Sequence, residues 1–271
     1  MSRIQSCFAE LKESQRVALI PFITAGDPEP ALTVPLMHAL VESGADLIEL
    51  GIPFSDPMAD GPVIQKAAER ALEYNVSLRD VLQMVAEFRQ RDAETPVLLM
   101  GYLNPLEVMG YQAFAAEAGE AGVDGVLIVD LPPEEGEEIL PLLYAHQVDP
   151  VFLIAPTSDH NRIQKICDAS RGYVYYVSLK GITGAGHLDL DSVARRVSEI
   201  RELTPLPIGV GFGIKDAATA AAMGKLADAV IVGSAIVSRI AEHRGDAEST
   251  IRAVSSFIAE LRAGLDGVTS Q

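Results

Sequence analysis

The sequence predicts an α/β protein built as a single (β/α)8 barrel, the TIM barrel, with one extra helix at its N-terminus. Short apolar runs rich in β-branched and aliphatic residues alternate with longer amphipathic stretches along the chain. This alternation gives strand–helix units of roughly 30 residues, and eight of them fill the sequence. An early Gly-x-Gly-x-x-Gly motif is absent, which argues against a doubly wound open sheet. No linker interrupts the chain, so we expect residues 1–271 to form one domain.

Each strand is predicted where an apolar run is bounded by turn residues, and each helix where apolar residues recur with helical spacing. The predicted strands are residues 17–23, 46–51, 96–102, 125–130, 150–154, 173–178, 207–212 and 229–233. The predicted helices are residues 31–43, 63–73, 78–91, 111–121, 134–146, 161–169, 192–203, 216–225 and 247–265. Residues 3–13 form the extra helix, which we expect to cover the lower end of the barrel.

The charge of the chain limits its partners. With 21 basic and 38 acidic residues the formal net charge is −17, and no Lys/Arg cluster offers itself to a nucleic-acid backbone. We therefore expect no nucleic-acid partner, and we interpret the acidity as a solubility feature. A phosphorylated substrate would have to be held by local backbone groups, because the global field repels it.

Cysteines, histidines and the N-terminus indicate a reduced protein without a metal. Cys7 and Cys167 lie far apart without metal spacing, and the five histidines do not cluster. The N-terminus lacks a continuous apolar region, and no run is long enough to span a membrane. We expect a soluble, cytoplasmic protein with no metal site and no membrane partner.

The strongest candidate for catalysis is a carboxylate inside a predicted strand. Glu49 lies in an apolar run beside Ile48 and Leu50, where a carboxylate is costly unless it is paired, hydrogen-bonded or protonated. Because side chains alternate along a strand, Glu49 points into the barrel mouth if Ile48 and Leu50 meet the helices. Apolar surroundings would raise its pKa and suit a general acid. The alternative is a structural carboxylate satisfied by a neighbouring hydroxyl or N–H group.

A second acid lies on the Pro/Gly-rich loop after the same strand, and barrel active sites are built from such loops. Asp60 precedes Gly61 and Pro62, so it is also an acceptable helix N-cap. From chemistry alone, Asp56 and Asp60 are nearly equal candidates for a role in the site.

The long loop after the sixth strand offers two further candidates. Lys180 is well placed for a Schiff-base aldolase mechanism, although an exposed loop lysine is the simpler interpretation. His187 could approach a ligand, or it could be a solvated loop residue.

Glycines follow the last three predicted strands and favour a phosphate site. Glycine lets a phosphate approach the backbone closely, and Gly233 and Ser234 open a short helical stretch whose free N–H groups attract an anion. The loops after strands seven and eight are the usual phosphate site of this fold. The alternative is that these glycines only permit tight turns.

Several motifs resemble the tryptophan synthase alpha chain family. They are PFITAGDP at residues 21–28, LIELGIPFSDPMADGP at 47–62, GYLNP at 101–105, GITG at 181–184 and GFGI at 211–214. The resemblance extends from about residue 3 to about residue 261, and the motif at 47–62 is long and specific.

The resemblance implies a lyase without a cofactor, which splits indole-3-glycerol phosphate into indole and glyceraldehyde 3-phosphate by a retro-aldol reaction. By the same resemblance, Glu49 would protonate indole C3 and take the proton of the glycerol hydroxyl, while Asp60 would accept the indole N–H. The substrate-binding residues would be Phe22, Tyr102, Leu127, Ile154, Tyr175 and Thr183. The phosphate-binding residues would be Gly184, Gly213, Gly233 and Ser234.

The resemblance also implies a partner, the tryptophan synthase beta chain, which carries pyridoxal phosphate and receives the indole in an alpha2beta2 heterotetramer. The surface facing it would include Pro53, Asp56, Pro57, Asn104 and Pro132. Loops 53–60 and 179–191 would close over the substrate. Two other interpretations stay open: a Schiff-base aldolase using Lys180, and a barrel that binds the phosphate ligand and regulates a partner without catalysis.

Overall fold

The computed structural model describes residues 2–178, 189–211 and 213–268, and in them parallel strands form one curved sheet. The strands are β1 (Ala18–Thr24), β2 (Ile48–Gly51), β3 (Val97–Gly101), β4 (Gly125–Ile128), β5 (Asp149–Pro150), β6 (Leu153–Ile154), β7 (Val174–Val177), β8 (Ile208–Gly211) and β9 (Ala229–Val232). Their order in the sheet is β5-β4-β3-β2-β1-β9-β8-β7-β6, with every pair parallel.

The two ends of this sheet belong to one extended segment, so the ring of strands closes. On one side of the segment the Val151 N–H donates to the Val126 carbonyl at 2.9 Å, and on the other side the Tyr175 N–H donates to the Phe152 carbonyl at 3.2 Å. The fifth predicted strand, residues 150–154, is therefore present as two short pieces, β5 and β6. The prediction of a (β/α)8 barrel is confirmed.

The helices agree with the sequence analysis except in two regions. They are α1 (Arg3–Glu13), α2 (Pro30–Glu42), α3 (Pro62–Leu72), α4 (Leu78–Phe88), α5 (Leu103–Met109), α6 (Tyr111–Ala121), α7 (Leu140–Ala145), α8 (His160–Ala169), α9 (Leu190–Arg201), α10 (Ala217–Gly224), α11 (Ser234–Glu242) and α12 (Ala247–Asp266). None of these helices combines the length and apolarity needed to cross a membrane.

The predicted helix 134–146 was wrong in its first half, and α5 was not predicted. Pro133–Glu135 forms one 3-10 turn, and α7 begins only at Leu140 with a proline in its first turn. Proline lacks the N–H that a continuous helix would need there, so the helix restarts at this point. In α5 the Asn104-Pro105 pair, which is typical of a turn, instead lies in the first helical turn, where a proline N–H is not required.

Alternation along the strands separates two apolar layers. One cluster fills the barrel interior and includes Ala18, Leu47, Leu98 and Leu127, while Leu19, Ile48 and Leu50 belong to the cluster that meets the helices. The extra helix α1 adds Ile4, Phe8 and Leu11 to the interior cluster. It therefore covers the lower end of the barrel as predicted, and the upper end remains available for a site.

Candidate active site

Glu49 lies inside the barrel and is almost fully buried, at 1% exposure. Its neighbours Ile48 and Leu50 face the helices, which turns Glu49 inward as the alternation of side chains predicts. The Tyr173 hydroxyl donates to Glu49 Oε1 at 2.7 Å. The alternative of a carboxyl group satisfied by a nearby hydroxyl is thus also present in the structure.

Burial raises the pKa of Glu49 from 4.5 to about 7, and the hydrogen bond from Tyr173 opposes that rise. Desolvation dominates because an ionised carboxylate inside apolar surroundings loses more hydration than one neutral donor restores. A carboxyl group with a pKa near neutrality can both give and accept a proton at physiological pH.

The raised pKa of Glu49 should also change how the stability of the protein depends on pH. Below pH 4.5 Glu49 is protonated in the folded and the unfolded chain, and between pH 4.5 and about 7 only the unfolded chain loses the proton, so stability falls with rising pH in that window. We expect Glu49→Gln to remove this loss. The substitution should raise the free energy of unfolding relative to the unsubstituted protein, and this increase should be about 2 kcal/mol larger at about pH 8.5 than at about pH 5.5. Urea unfolding at the two pH values measures this, and an equal effect of the substitution at both would contradict it.

Asp60 lies on the loop between β2 and α3, and its surroundings exclude one of its alternatives. The N-cap of α3 is Gly61, and no side chain caps that helix. The interpretation of Asp60 as a helix cap was therefore wrong. The Tyr102 hydroxyl donates to Asp60 Oδ2 at 3.2 Å, and burial raises the pKa of Asp60.

The structure separates Asp60 from the other acid of this loop. Asp56 is exposed and accepts a hydrogen bond from its neighbour Ser55 at 2.6 Å. Asp60, in contrast, lines a pocket at the carboxyl ends of β1, β2 and β3. Of the two acids that chemistry alone left equal, only Asp60 faces this pocket.

This pocket lies beneath the loop that carries Asp60. Phe54 stacks on Tyr102 at a ring-centroid distance of 5.3 Å, and the Ala59 N–H donates to the Tyr102 hydroxyl at 3.0 Å, so Tyr102 holds the loop at two points. The pocket is lined by Phe22, Thr24, Gly51, Ile52, Phe54, Pro57, Asp60, Ile64, Ala68, Met100, Gly101, Tyr102 and Val129. Aromatic walls around one carboxylate suit a flat apolar ligand with a polar N–H.

Four of the predicted substrate-binding residues have side chains on the inside of the barrel or in this pocket. Phe22 and Tyr102 line the pocket, and Leu127 and Tyr175 belong to or pack against the interior cluster. Burial raises the pKa of the Tyr175 hydroxyl well above its usual value, and the charges of Glu49 and Asp60 raise it further. Tyr175 therefore lies close enough to both carboxyl groups to feel their charges.

The prediction of Ile154 as a substrate-binding residue was wrong, because Ile154 lies on the opposite face of its strand. It belongs to the cluster between the sheet and the helices, whereas its neighbour Leu153 packs against the interior cluster. Because side chains alternate, only one of the two can face the mouth, and that residue is Leu153.

Three of the four predicted phosphate-binding residues, Gly213, Gly233 and Ser234, follow β8 and β9. Gly233 is the N-cap of α11, and Ser234 is the first residue of that helix. The first N–H groups of a helix have no partner within the helix, so they are available to an anion. Gly213 has φ = +82°, a left-handed conformation that favours glycine, so the tight-turn interpretation also applies to it. Thr183, Gly184, Lys180 and His187 lie outside the described residues.

Comparison with known proteins assigns the chain to a family. The profile of the tryptophan synthase alpha chain matches residues 8–266. The chain belongs to the tryptophan synthase alpha chain family. The tryptophan synthase alpha chain of Thioalkalivibrio sulfidiphilus is 62% identical over 266 residues, which cover 98% of this chain and 100% of that protein. The one from Chromobacterium violaceum is 61% identical over 265 residues, with coverage of 98% and 100%.

A solved structure of this family has the same fold. The crystal structure of tryptophan synthase subunit alpha from Legionella pneumophila matches with a TM-score of 0.92 and 44% identity, covering 99% of this chain and 100% of that chain. As a tryptophan synthase alpha chain family member, the chain is a lyase of tryptophan biosynthesis. It cleaves indole-3-glycerol phosphate to indole and glyceraldehyde 3-phosphate, and the family has no cofactor of its own.

Membership of the tryptophan synthase alpha chain family implies a beta-chain partner. Of the residues predicted to face it, Asp56 and Asn104 are exposed, Pro57 and Pro132 are partly exposed, and Pro53 is buried within the chain. A buried side chain offers little contact area, so Pro53 is unsuited to direct contact. Two exposed apolar side chains lie close to these residues in the chain: Met58 on the loop between β2 and α3, at 81% exposure, and Val108 on α5, at 82% exposure.

Several residues that line the pocket of this tryptophan synthase alpha chain family member were not among the predicted site residues. The pocket also contains Thr24, Phe54, Met100 and Val129, and within the described ranges no group of three His, Cys, Asp or Glu residues could hold a metal ion. The period of two along the strands was the available signal, since Thr24 follows Phe22 by two residues and Val129 follows Leu127 by two.

Proposed function

We propose that Glu49 is the acid–base residue of the alpha reaction and that Asp60 stabilises the indole ring during it. The observation that carries this proposal is the buried Glu49 carboxyl group, whose pKa is raised to about 7, inside the mouth of the barrel. The position of Asp60 in the pocket at the same end of the barrel supports the proposal. Two carboxyl groups in different surroundings can take different roles in one reaction.

The reaction begins with protonated Glu49. Its proton goes to indole C3, which gives the indolenine tautomer, and positive charge develops on the ring nitrogen. The Asp60 carboxylate accepts the ring N–H and stabilises that charge. The Glu49 carboxylate then removes the proton of the hydroxyl next to the ring. The electrons of that O–H bond form the aldehyde, the C–C bond breaks, and its electrons restore the aromatic indole. Glu49 ends protonated, ready for another turnover.

The substrate is held at two ends. Phe22, Tyr102, Leu127 and Tyr175 form the apolar wall, and Leu153 takes the place predicted for Ile154. Backbone N–H groups at Gly213, Gly233 and Ser234 hold the phosphate. The net charge of −17 repels a phosphate at long range, so the binding depends on these local groups and needs no basic side chain. By resemblance, Thr183 and Gly184 complete the site.

We further propose an alpha2beta2 heterotetramer in the cytoplasm, with pyridoxal phosphate only on the beta chain, which receives the indole. Asp56, Pro57, Asn104 and Pro132 form the partner surface. Exposed Met58 and Val108 support it, because large exposed apolar side chains are typical of interfaces. We also propose that residues 1–271 form one domain, since α1 at one end of the chain and α12 at the other both pack on the barrel.

The experiment that tests the proposed activity is indole release by the purified chain. Indole-3-glycerol phosphate is supplied to the chain alone and to the chain with a tryptophan synthase beta chain, and indole and glyceraldehyde 3-phosphate are measured. We expect both products in equal amounts, with faster release when the beta chain is present. Ligand binding without products in either case would instead indicate a barrel that only regulates its partner.

A further inference from the structure

Thr24, the last residue of β1, carries a buried hydroxyl group. The residue is 2% exposed, and its Oγ1 has no hydrogen-bond partner among the residues that the structure describes. A buried hydroxyl without a partner is unfavourable, and such groups are rare in folded proteins. An unpaired polar group that lines a substrate pocket therefore indicates a binding partner in the substrate.

The strand register places this hydroxyl between the two carboxyl groups of the site. On the paired strands β1 and β2, Phe22 lies opposite Glu49 and Thr24 lies opposite Gly51. Phe22 and Thr24 are two residues apart, so both face the barrel interior, and Thr24 is one level nearer the mouth. Thr24 and Asp60 line the same pocket. Glu49 thus lies below the level of Thr24, and the loop carrying Asp60 lies above the pocket.

We propose that Thr24 is a substrate-contacting residue whose hydroxyl hydrogen-bonds the glycerol hydroxyl next to the indole ring. This inference rests on the proposed function, which places the reacting carbon near Glu49 and the ring N–H at Asp60. The phosphate is assigned to backbone N–H groups, so the polar groups of the substrate that remain are its two glycerol hydroxyls. The one next to the ring lies nearer to the level of Glu49, and we assign that one to Thr24.

Because the Thr24 hydroxyl has no partner among the described residues, Thr24→Val should weaken substrate binding without lowering stability. Valine has nearly the shape of threonine, and the hydroxyl that it replaces makes no hydrogen bond within the described residues. We expect the melting temperature of the ligand-free protein to stay the same or rise. Binding of the hydroxylated substrate should weaken by about 5- to 100-fold, because its buried hydroxyl is left unpaired. Thr24→Ser, which keeps the hydroxyl, should restore most of the affinity.

The binding test uses the Glu49→Gln chain so that the substrate is not consumed. Titration calorimetry measures the affinity of Glu49→Gln and of Glu49→Gln/Thr24→Val for indole-3-glycerol phosphate and for 3-indolylpropyl phosphate, which lacks the glycerol hydroxyls. We expect the second substitution to weaken only the first ligand. Equal affinity of both proteins for the substrate, or an equal loss for both ligands, would overturn the assignment. The outcome is independent of the role of Glu49, which is judged from turnover rates.

Thr250→Val is the matched control. Thr250 on α12 is also fully buried, but its hydroxyl donates to the carbonyls of His243 and Asp246 at 3.1 and 2.8 Å. Its removal should lower the melting temperature and leave the substrate affinity unchanged. If Thr24→Val instead lowered the melting temperature as Thr250→Val does, without a change in affinity, Thr24 would be a structural residue only.

Discussion

Replacing Glu49 with glutamine is expected to lower the rate of indole formation by at least about 100-fold, the low end for acid–base catalysis. Glutamine keeps the shape of the side chain and can still accept the hydrogen bond that Tyr173 donates to Glu49 at 2.7 Å. It cannot deliver a proton to indole C3 or take one from the substrate hydroxyl. The turnover rate at saturating substrate measures the loss, while substrate affinity should change little.

Asp124→Asn separates this effect from the removal of any buried carboxylate. Asp124 is 3% exposed and pairs with Arg3 and Arg89 at 2.9 and 2.6 Å, in contacts that link α1 and α4 to the start of β4. Its substitution should lower stability and leave the turnover rate of the folded enzyme unchanged. Near-normal indole production by Glu49→Gln would remove Glu49 from the mechanism.

The inward position of Glu49 was predictable because it depends only on the alternation of side chains along a well-formed strand. The same reasoning failed at Ile154, since the fifth strand consists of two short pieces, β5 and β6, and the face of each residue could not be counted from a regular strand. One residue of error moves a side chain from the mouth to the helix layer. Leu153, rather than Ile154, therefore faces the interior.

Contacts between distant parts of the chain were beyond the sequence. Tyr173 lies 124 positions from Glu49, and no local pattern indicates that its hydroxyl reaches the carboxyl group. The choice between Asp56 and Asp60 likewise depends on the path of one loop, which Tyr102, just after the neighbouring strand, holds in place. The period of two could have placed Thr24 on the same face as Phe22, but whether its hydroxyl has a partner is a property of the packed fold.

The second large effect is expected at the phosphate site, where Gly233→Val should raise the KM for indole-3-glycerol phosphate by about 100-fold. Each charge-assisted hydrogen bond to a phosphate contributes about 1.5–3 kcal/mol, so obstructing two backbone donors is enough for this loss. A Cβ added to Gly233 would lie 3.6 Å from Phe22, an ordinary contact, and the residue has φ = −117°. The fold therefore accepts a side chain here, and the valine methyl groups extend into the space in front of α11.

Of two further variants near the phosphate site, only one tests what holds the phosphate. Gly213→Val is a poor probe, because φ = +82° at Gly213 strains any other residue and mixes a folding defect with a binding defect. Lys215→Ala is the informative one, since Lys215 is the nearby basic side chain and is exposed. If backbone N–H groups hold the phosphate, its removal should change KM far less than Gly233→Val does, with a weak dependence on salt. Loss of binding in Lys215→Ala together with a normal KM in Gly233→Val would mean that a lysine, rather than the N-terminus of α11, binds the phosphate.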